Sequence, residues 1–134
     1  MKKDIPFLPV SGVSIAVVRE INNIDEYIWN VYLINENSFP IQNITIRAKG
    51  YGEVNGAKQA TSTLRHHFPY LASKSHIIIE PIDPEIFGLN NEYWISYFIQ
   101  EQVFDKKYIF VPESIIEENL IQIPQLQLLG ILHT

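Results

Sequence analysis

Apolar and polar residues alternate along most of this chain with the period of two that is typical of β-strands. Between Gly12 and Ile21, the branched residues at 13, 15 and 17 alternate with small residues at 14 and 16, which predicts a first strand with one buried side. The same argument predicts strands over residues 26–35, 59–68 and 77–79. From Asn43 to Lys49, isoleucine and alanine alternate with polar and charged residues, so one face of that strand is expected to meet solvent.

A β-hairpin between Glu92 and Pro112 is the most strongly patterned part of the chain. Its two arms are rich in aromatic and β-branched residues, and the break around residues 100–102 is short enough for an antiparallel turn. Along the first arm, large apolar residues fall on both faces, with Tyr93 and Tyr97 on one face and Trp94 on the other. We therefore predict that this arm is a central strand of a sheet.

The chain after Val111 follows a different pattern. Ser114 and Glu117 have the spacing of a capping box, which predicts a short helix that Pro124 ends. The segment from Leu126 to Leu132 is strongly apolar. We expect it to close the core as a last strand. The alternative is a homodimer in which this segment pairs with, or is exchanged with, a second molecule.

These elements predict an all-β fold. About seven short strands with little helix between them favour an antiparallel, immunoglobulin-like β-sandwich with one short helix near the C-terminus. A small closed β-barrel is the alternative. No repeat, linker or low-complexity segment divides the sequence, so residues 1–134 are expected to form a single domain.

Composition and charge narrow the classes of function. The 134 residues include no cysteine, which excludes disulfides, thiolate metal sites and a cysteine nucleophile, and which is typical of a reducing compartment. Asp4, Pro6 and Pro9 interrupt the place of a signal sequence, and no apolar run approaches the roughly 20 residues that span a bilayer. The net charge of −5 provides no basic field for a phosphate backbone. We expect a cytoplasmic protein that binds neither nucleic acid nor a membrane.

Four strings of residues resemble a family of small uncharacterised bacterial proteins. The strings are Trp29–Asn35, Lys49–Glu53, Thr61–His66 and Phe87–Trp94, and the similarity runs along most of the chain. The resemblance implies a stand-alone cytosolic domain and assigns no activity and no site residues. The string Asn37–Ile44 also resembles the loop that leads into a strand in many immunoglobulin-like domains.

Catalytic and metal-binding patterns are missing from the sequence. Four histidines are present, but His66 and His67 are adjacent and point to opposite faces of a strand, so no metal site is predicted. No serine follows the nucleophile-elbow pattern, and the glycines between residues 50 and 56 do not form a phosphate-binding loop. We predict no catalytic residue and no cofactor.

One polar group of residues remains as a candidate ligand-binding site. Arg47 and Lys49 lie on the solvent face of one predicted strand, and Arg65 and His67 lie on the matching face of the next. If the two strands pair, these side chains, with Tyr51 nearby, form a patch able to hold a carboxylate or phosphate group. A solvated sheet face with scattered charges is the simpler interpretation.

Two hypotheses about function follow. The preferred one is a non-enzymatic module that acts through protein contacts, as an interaction or scaffold domain, because no catalytic pattern is found. The alternative is a protein that binds a small carboxylate or phosphate ligand, or an enzyme, through the basic sheet face. The two differ in geometry, because a small-ligand site requires the side chains of the patch to converge.

Overall fold

The computed structural model describes residues 9–134, and most of the regular structure in that range is β-strand. In that range ten strands follow one another, and they are β1 (Val13–Ile21), β2 (Tyr27–Asn35), β3 (Ile41–Val54), β4 (Ala57–Ala60), β5 (Leu64–Leu71), β6 (Ser75–Pro81), β7 (Asn90–Ile99), β8 (Gln102–Phe110), β9 (Ile121–Ile123) and β10 (Leu128–His133). Two short 3₁₀ turns lie at Pro84–Ile86 and Glu117–Asn119.

The strands form two sheets, and neighbouring strands are antiparallel throughout. Sheet A has the order β6-β2-β1-β10-β9. Sheet B has the order β4-β3-β7-β8, and β5 also pairs with β3. The two sheets remain separate and bury a common core, which confirms the predicted antiparallel β-sandwich and rules out the alternative of one sheet closed on itself. The first arm of the predicted hairpin, β7, lies between β3 and β8, so it is central as expected.

The strand count exceeds the prediction partly because the strand expected over residues 59–68 is interrupted. It is divided between β4 and β5, which both pair with the long strand β3. At the break, the Thr61 backbone N–H donates to Gly50 O at 2.8 Å, and the Thr61 hydroxyl accepts from Gly50 N at 2.8 Å. These bonds hold the chain against β3 while residues 61–63 leave the ladder.

The core lies between the two sheets and contains the alternate apolar residues of their facing sides. Its fully buried aliphatic members include Ile15, Val17, Val31, Leu33, Ile44, Ile46 and Ile95. Three buried tyrosines, which we call the interior tyrosines, complete it: Tyr93, Tyr97 and Tyr108. The Tyr108 hydroxyl donates to Val13 O at 2.6 Å. The Tyr97 hydroxyl has no hydrogen-bond partner in the described part of the chain.

The strand β1 is buried on both faces, whereas its sequence predicted one buried side. On the outer face of sheet A, Ala16 and Val18 are fully buried in a second apolar cluster. The C-terminal segment supplies part of that cluster, namely Ile123, Leu126, Leu128 and Leu132. Because β10 pairs with β1, the segment from Leu126 to Leu132 adds a strand to its own sheet, which was the preferred interpretation.

The helix predicted after Ser114 is only the 3₁₀ turn Glu117–Asn119. The Ser114 hydroxyl donates to Val111 O at 2.6 Å, so it does not cap this turn. The turn follows Ile116, which makes no side-chain capping bond. Since β9 already begins at Ile121, the chain has room for a single turn and the capping-box spacing is not used.

Candidate functional site

The predicted basic residues lie together on the outer face of sheet B. Ile46 and Ala48 point into the core, so the alternating residues Arg47 and Lys49 of β3 point away from it. β3 and β5 pair as the hypothesis requires, with Arg47 directly opposite Arg65 and Thr45 opposite His67. Tyr51 follows on the same side of β3. Two paired strands, β3 and β5, thus bring these side chains onto one surface.

A tryptophan that the predicted ligand-binding patch did not include lies at the centre of this surface. Trp94 of β7 is opposite Arg47 on one side and Lys107 of β8 on the other. The Arg47 guanidinium carbon lies 4.3 Å from the centroid of the Trp94 ring, and the Lys107 ammonium lies 4.8 Å from it. Both distances are within the range of cation–π attraction. The indole N–H donates to Asp105 Oδ1 at 2.7 Å, which fixes the ring.

These residues form a line across the sheet that we call the cationic row: Arg65, Arg47, Trp94 and Lys107. Within residues 9–134, none of its three cations forms a salt bridge with a carboxylate. Arg47 and Lys107 are instead held on the ring of Trp94. The positive charge of the row is therefore ordered but not neutralised by a direct partner.

Lys49 and Tyr51 are already engaged with a buried carboxylate, Glu92. Its side chain is 7% exposed, and the Lys49 ammonium lies 3.9 Å from Oε2. The Tyr51 hydroxyl donates to Glu92 Oε1 at 3.1 Å. Loss of hydration and the neighbouring Glu92 carboxylate raise the pKa of Tyr51. These two predicted site residues are thus bonded to Glu92, which the predicted ligand-binding patch did not include.

The side chains converge on a shallow depression of about 120 Å³. It is lined by Arg47, Lys49, Thr63, Arg65, Glu92 and Trp94. His67 lies outside this lining, and its Nδ1 is 3.5 Å from the Thr45 hydroxyl. The geometry therefore meets the condition of convergence for Arg47, Lys49 and Arg65 but not for His67 and Tyr51.

The histidines of β5 face opposite sides of sheet B, as predicted from their adjacent positions. His67 is on the outer face, whereas His66 faces sheet A and its Nε2 lies 2.7 Å from Glu80 Oε1. No cluster of three histidine or acidic side chains suited to a metal ion is present within residues 9–134. None of the helical segments in that range has the length and apolarity needed to cross a membrane.

Comparisons with known proteins add no family to this description. The resemblance carried by the four sequence strings therefore stays a prediction. No protein family, no curated protein and no solved structure matches the chain.

Proposed function

We propose that the chain is a non-enzymatic β-sandwich module that binds another protein through the outer face of sheet B. The observation that carries the proposal is the cationic row, in which two cations rest on the ring of Trp94 and a third, Arg65, lies opposite Arg47. Tryptophan and arginine are the residues most enriched at the energetic centres of protein interfaces. Holding Arg47 on an aromatic ring also lowers the entropy lost when it binds a carboxylate.

The charge of the row selects an acidic partner. The protein carries a net charge of −5, so unpaired cations gathered on one face mark a surface with the opposite sign to the rest. The row crosses four strands, a span of roughly 14 Å at the usual spacing between strands. Side chains on one face of an extended peptide recur about every 6.6 Å. Three acidic residues at alternate positions of an extended segment therefore span about the same length as the row.

Fluorescence anisotropy of a labelled peptide tests the proposal. A peptide with glutamate at three alternate positions should bind, and the same peptide with glutamine should bind more weakly by about tenfold or more. Arg47→Ala should weaken binding of the glutamate peptide by a similar factor. Lys58→Ala is the matched control, because Lys58 is an exposed cation of β4 outside the row.

Three outcomes would count against this assignment. Equal binding of the glutamate and glutamine peptides would remove the electrostatic basis of the proposal. An equal loss in Arg47→Ala and Lys58→Ala would show that only the total charge matters. Displacement of the peptide by duplex DNA of mixed sequence would assign the face to nucleic acid, against the expectation from the net charge of −5.

A small carboxylate or phosphate ligand is the second candidate for the same face. It is favoured by the direct opposition of Arg47 and Arg65 beside the depression, because two like charges facing each other are relieved by an anion between them. Inorganic phosphate and citrate, titrated in NMR spectra, should then shift the resonances of β3 and β5 saturably. Arg65→Ala should abolish those shifts. Shifts that grow linearly with salt would contradict the idea.

A second copy of the chain is the alternative protein partner. β10 is paired on both edges, by β1 and by β9, so a homodimer formed through Leu126 to Leu132 would exchange this segment between protomers. The exposed side chains of Ile121 and Leu129 nearby support such contact. Light scattering of the intact chain measures the mass, and a monomer at high concentration would rule out the dimer.

We also propose that the sandwich is immunoglobulin-like. In that fold, strands A, B and E share one sheet and strands C, F and G share the other. In chain order and pairing, β1, β2 and β6 correspond to A, B and E, and β3, β7 and β8 correspond to C, F and G. An experimental structure in which β2 does not pair with β6 would contradict this assignment.

A cytoplasmic location is proposed as well. It is supported by the lack of cysteine, because a chain that forms no disulfide fits a reducing compartment. Fractionation of expressing cells tests it, and recovery of the protein outside the cytoplasm would refute it.

A further inference from the structure

A pocket opens on the edge of the sandwich, where the ends of the two sheets leave a gap. Its volume is about 300 Å³. Sheet B contributes residues of β3 and β7 and the break before β5, and sheet A contributes the end of β6 and the turn after it. Its lining includes Ser62, Leu64, Glu80, Ile82, Asp83, Ile86 and Asn91. The pocket is separate from the cationic row, which lies on the opposite face of sheet B.

A carboxylate lies in this pocket because β6 is irregular. The register between β2 and β6 shifts at Val31, so that Glu80 pairs with a residue whose side chain is in the core. The Glu80 side chain is 12% exposed. Its Oε1 lies 2.7 Å from His66 Nε2, and its Oε2 accepts from the Tyr93 hydroxyl at 3.0 Å. Each carboxylate oxygen can accept a second hydrogen bond, so capacity for a ligand remains.

The side-chain amide of Asn91 provides a second acceptor. Asn91 is 1% exposed, and its Nδ2 donates to Ile86 O at 2.9 Å and to Leu89 O at 3.2 Å. Within the described residues, no donor is bonded to its Oδ1, and this oxygen is not fully buried. A β-carbon on Gly50, which also lines the pocket, would come within 3.4 Å of this oxygen. The Asn91 oxygen is thus directed to the pocket with its acceptor capacity unused.

The charged groups around the pocket are mainly acidic. Asp83 is at the rim, and its Oδ1 accepts from Glu85 N at 2.9 Å. Lys49 lines the pocket through its part of β3, but its ammonium is on the outer face of sheet B beside Glu92. His66 is engaged with Glu80. Apolar side chains, including those of Leu64, Ile82 and Ile86, form much of the remaining wall.

We propose that this pocket binds a primary ammonium or guanidinium group carried on an aliphatic stem. The cation donates to Glu80 and to Asn91 Oδ1, and the stem packs against Leu64, Ile82 and Ile86. Ammonium and guanidinium groups are donors only, so they match a site that presents acceptors. Burial of the ion pair away from water strengthens the hydrogen bond to the carboxylate.

Isothermal titration in mildly alkaline buffer tests the proposal with n-butylammonium, n-butylguanidinium and the neutral 1-butanol as probes. The two cations should bind saturably, and 1-butanol should bind more weakly by about tenfold or more, because it lacks the charge. Glu80→Gln should reduce cation binding by a similar factor. Glu85→Gln is the matched control, since Glu85 is an exposed acid of the neighbouring turn that does not line the pocket.

A second variant keeps the test valid if Glu80→Gln fails to fold. Ser62 is exposed between β4 and β5 at the mouth of the pocket, so Ser62→Trp should block binding and leave the fold intact. Equal binding of 1-butanol and n-butylammonium would overturn the proposal. Unchanged cation binding in Ser62→Trp, or an equal loss in Glu85→Gln and Glu80→Gln, would also overturn it.

The same titration distinguishes a free amine from a lysine side chain. A short peptide with one lysine is compared with n-butylammonium and with the same peptide carrying norleucine. Tighter binding of the lysine peptide than of n-butylammonium assigns the ligand to a protein segment, and the reverse order assigns it to a free amine. Both orders require Glu80. Equal binding of the lysine and norleucine peptides counts against a cation site.

Discussion

Replacing either Tyr97 or Tyr108 by phenylalanine removes one hydroxyl from the same core. We expect the two substitutions to change the free energy of unfolding differently. Both tyrosines are fully buried and lie on neighbouring strands of sheet B. The Tyr108 hydroxyl donates to Val13 O at 2.6 Å and so links sheet B to the first strand of sheet A. The Tyr97 hydroxyl has no partner among the described residues. The pair therefore separates the effect of a hydrogen bond from that of burial.

The expected magnitudes follow from what each hydroxyl does. Tyr108→Phe loses a net hydrogen bond and leaves a buried carbonyl with one acceptor site unused, which together cost about 1–3 kcal/mol. Tyr97→Phe removes a polar group that was buried without a partner, so the variant should be as stable as the native protein, or more stable by up to about 2 kcal/mol. The two free energies of unfolding should therefore differ by roughly 1–5 kcal/mol.

Urea unfolding followed by tryptophan fluorescence measures both variants. The slope with urea concentration should not change, because the ring stays buried in each case. The reasoning is refuted if Tyr97→Phe is destabilised as much as Tyr108→Phe. That result would mean that the Tyr97 hydroxyl is hydrogen-bonded in solution.

Three further predictions concern pH and packing. Burial raises the pKa of the interior tyrosines, of Tyr97 to about 12, so the folded state holds these protons more tightly than the unfolded state. These groups should not change the free energy of unfolding below about pH 10. Above that pH, the free energy of unfolding should fall by roughly 1.4 kcal/mol per pH unit for each tyrosine. Urea midpoints that stay constant above pH 10 would contradict the argument. Asn35→Ala should lower the free energy of unfolding by about 3 kcal/mol or more, as measured by thermal melts, because the buried Asn35 amide donates to three backbone carbonyls. The control Ser38→Ala, at an exposed residue, should change it by no more than about 0.5 kcal/mol. Gly130→Ala should lower the free energy of unfolding by about 1–3 kcal/mol, since its β-carbon would lie 2.6 Å from the Val17 carbonyl oxygen of β1. The control Gly88→Ala should be neutral, because a β-carbon there would have no heavy atom within 4 Å. Equal melting temperatures in the two glycine variants would refute this packing argument.

The sequence predicted those parts of the fold that depend on local alternation. The run from Asn43 to Lys49 shows one buried and one exposed face, because a strand with a period of two has only two sides to fill. The hairpin of β7 and β8 was located from its aromatic arms and short break. Arg47 and Arg65 were placed on one face for the same reason, and pairing of β3 with β5 brought them together.

The parts that depend on register or on distant segments could not be predicted in this way. Trp94 meets Lys107 only because the turn of the hairpin fixes which residues are opposite each other. The contacts of Lys49 and Tyr51 with Glu92 depend on the alignment of β3 with β7, which are separated by three other strands in the chain. The second buried face of β1 is filled by the C-terminal segment, more than a hundred residues away in the sequence as printed.

The pairing of β1 with β10 has a consequence for how the protein is made. The pairing of β1 with β10 gives contacts of very high sequence separation, which slows folding. During synthesis, β1 can pair with β2 early, but its other edge stays open until β10 has left the ribosome. An open edge of this kind can pair with a neighbouring chain. The open edge of β1 is therefore accessible to a neighbouring chain in the interval before β10 is translated.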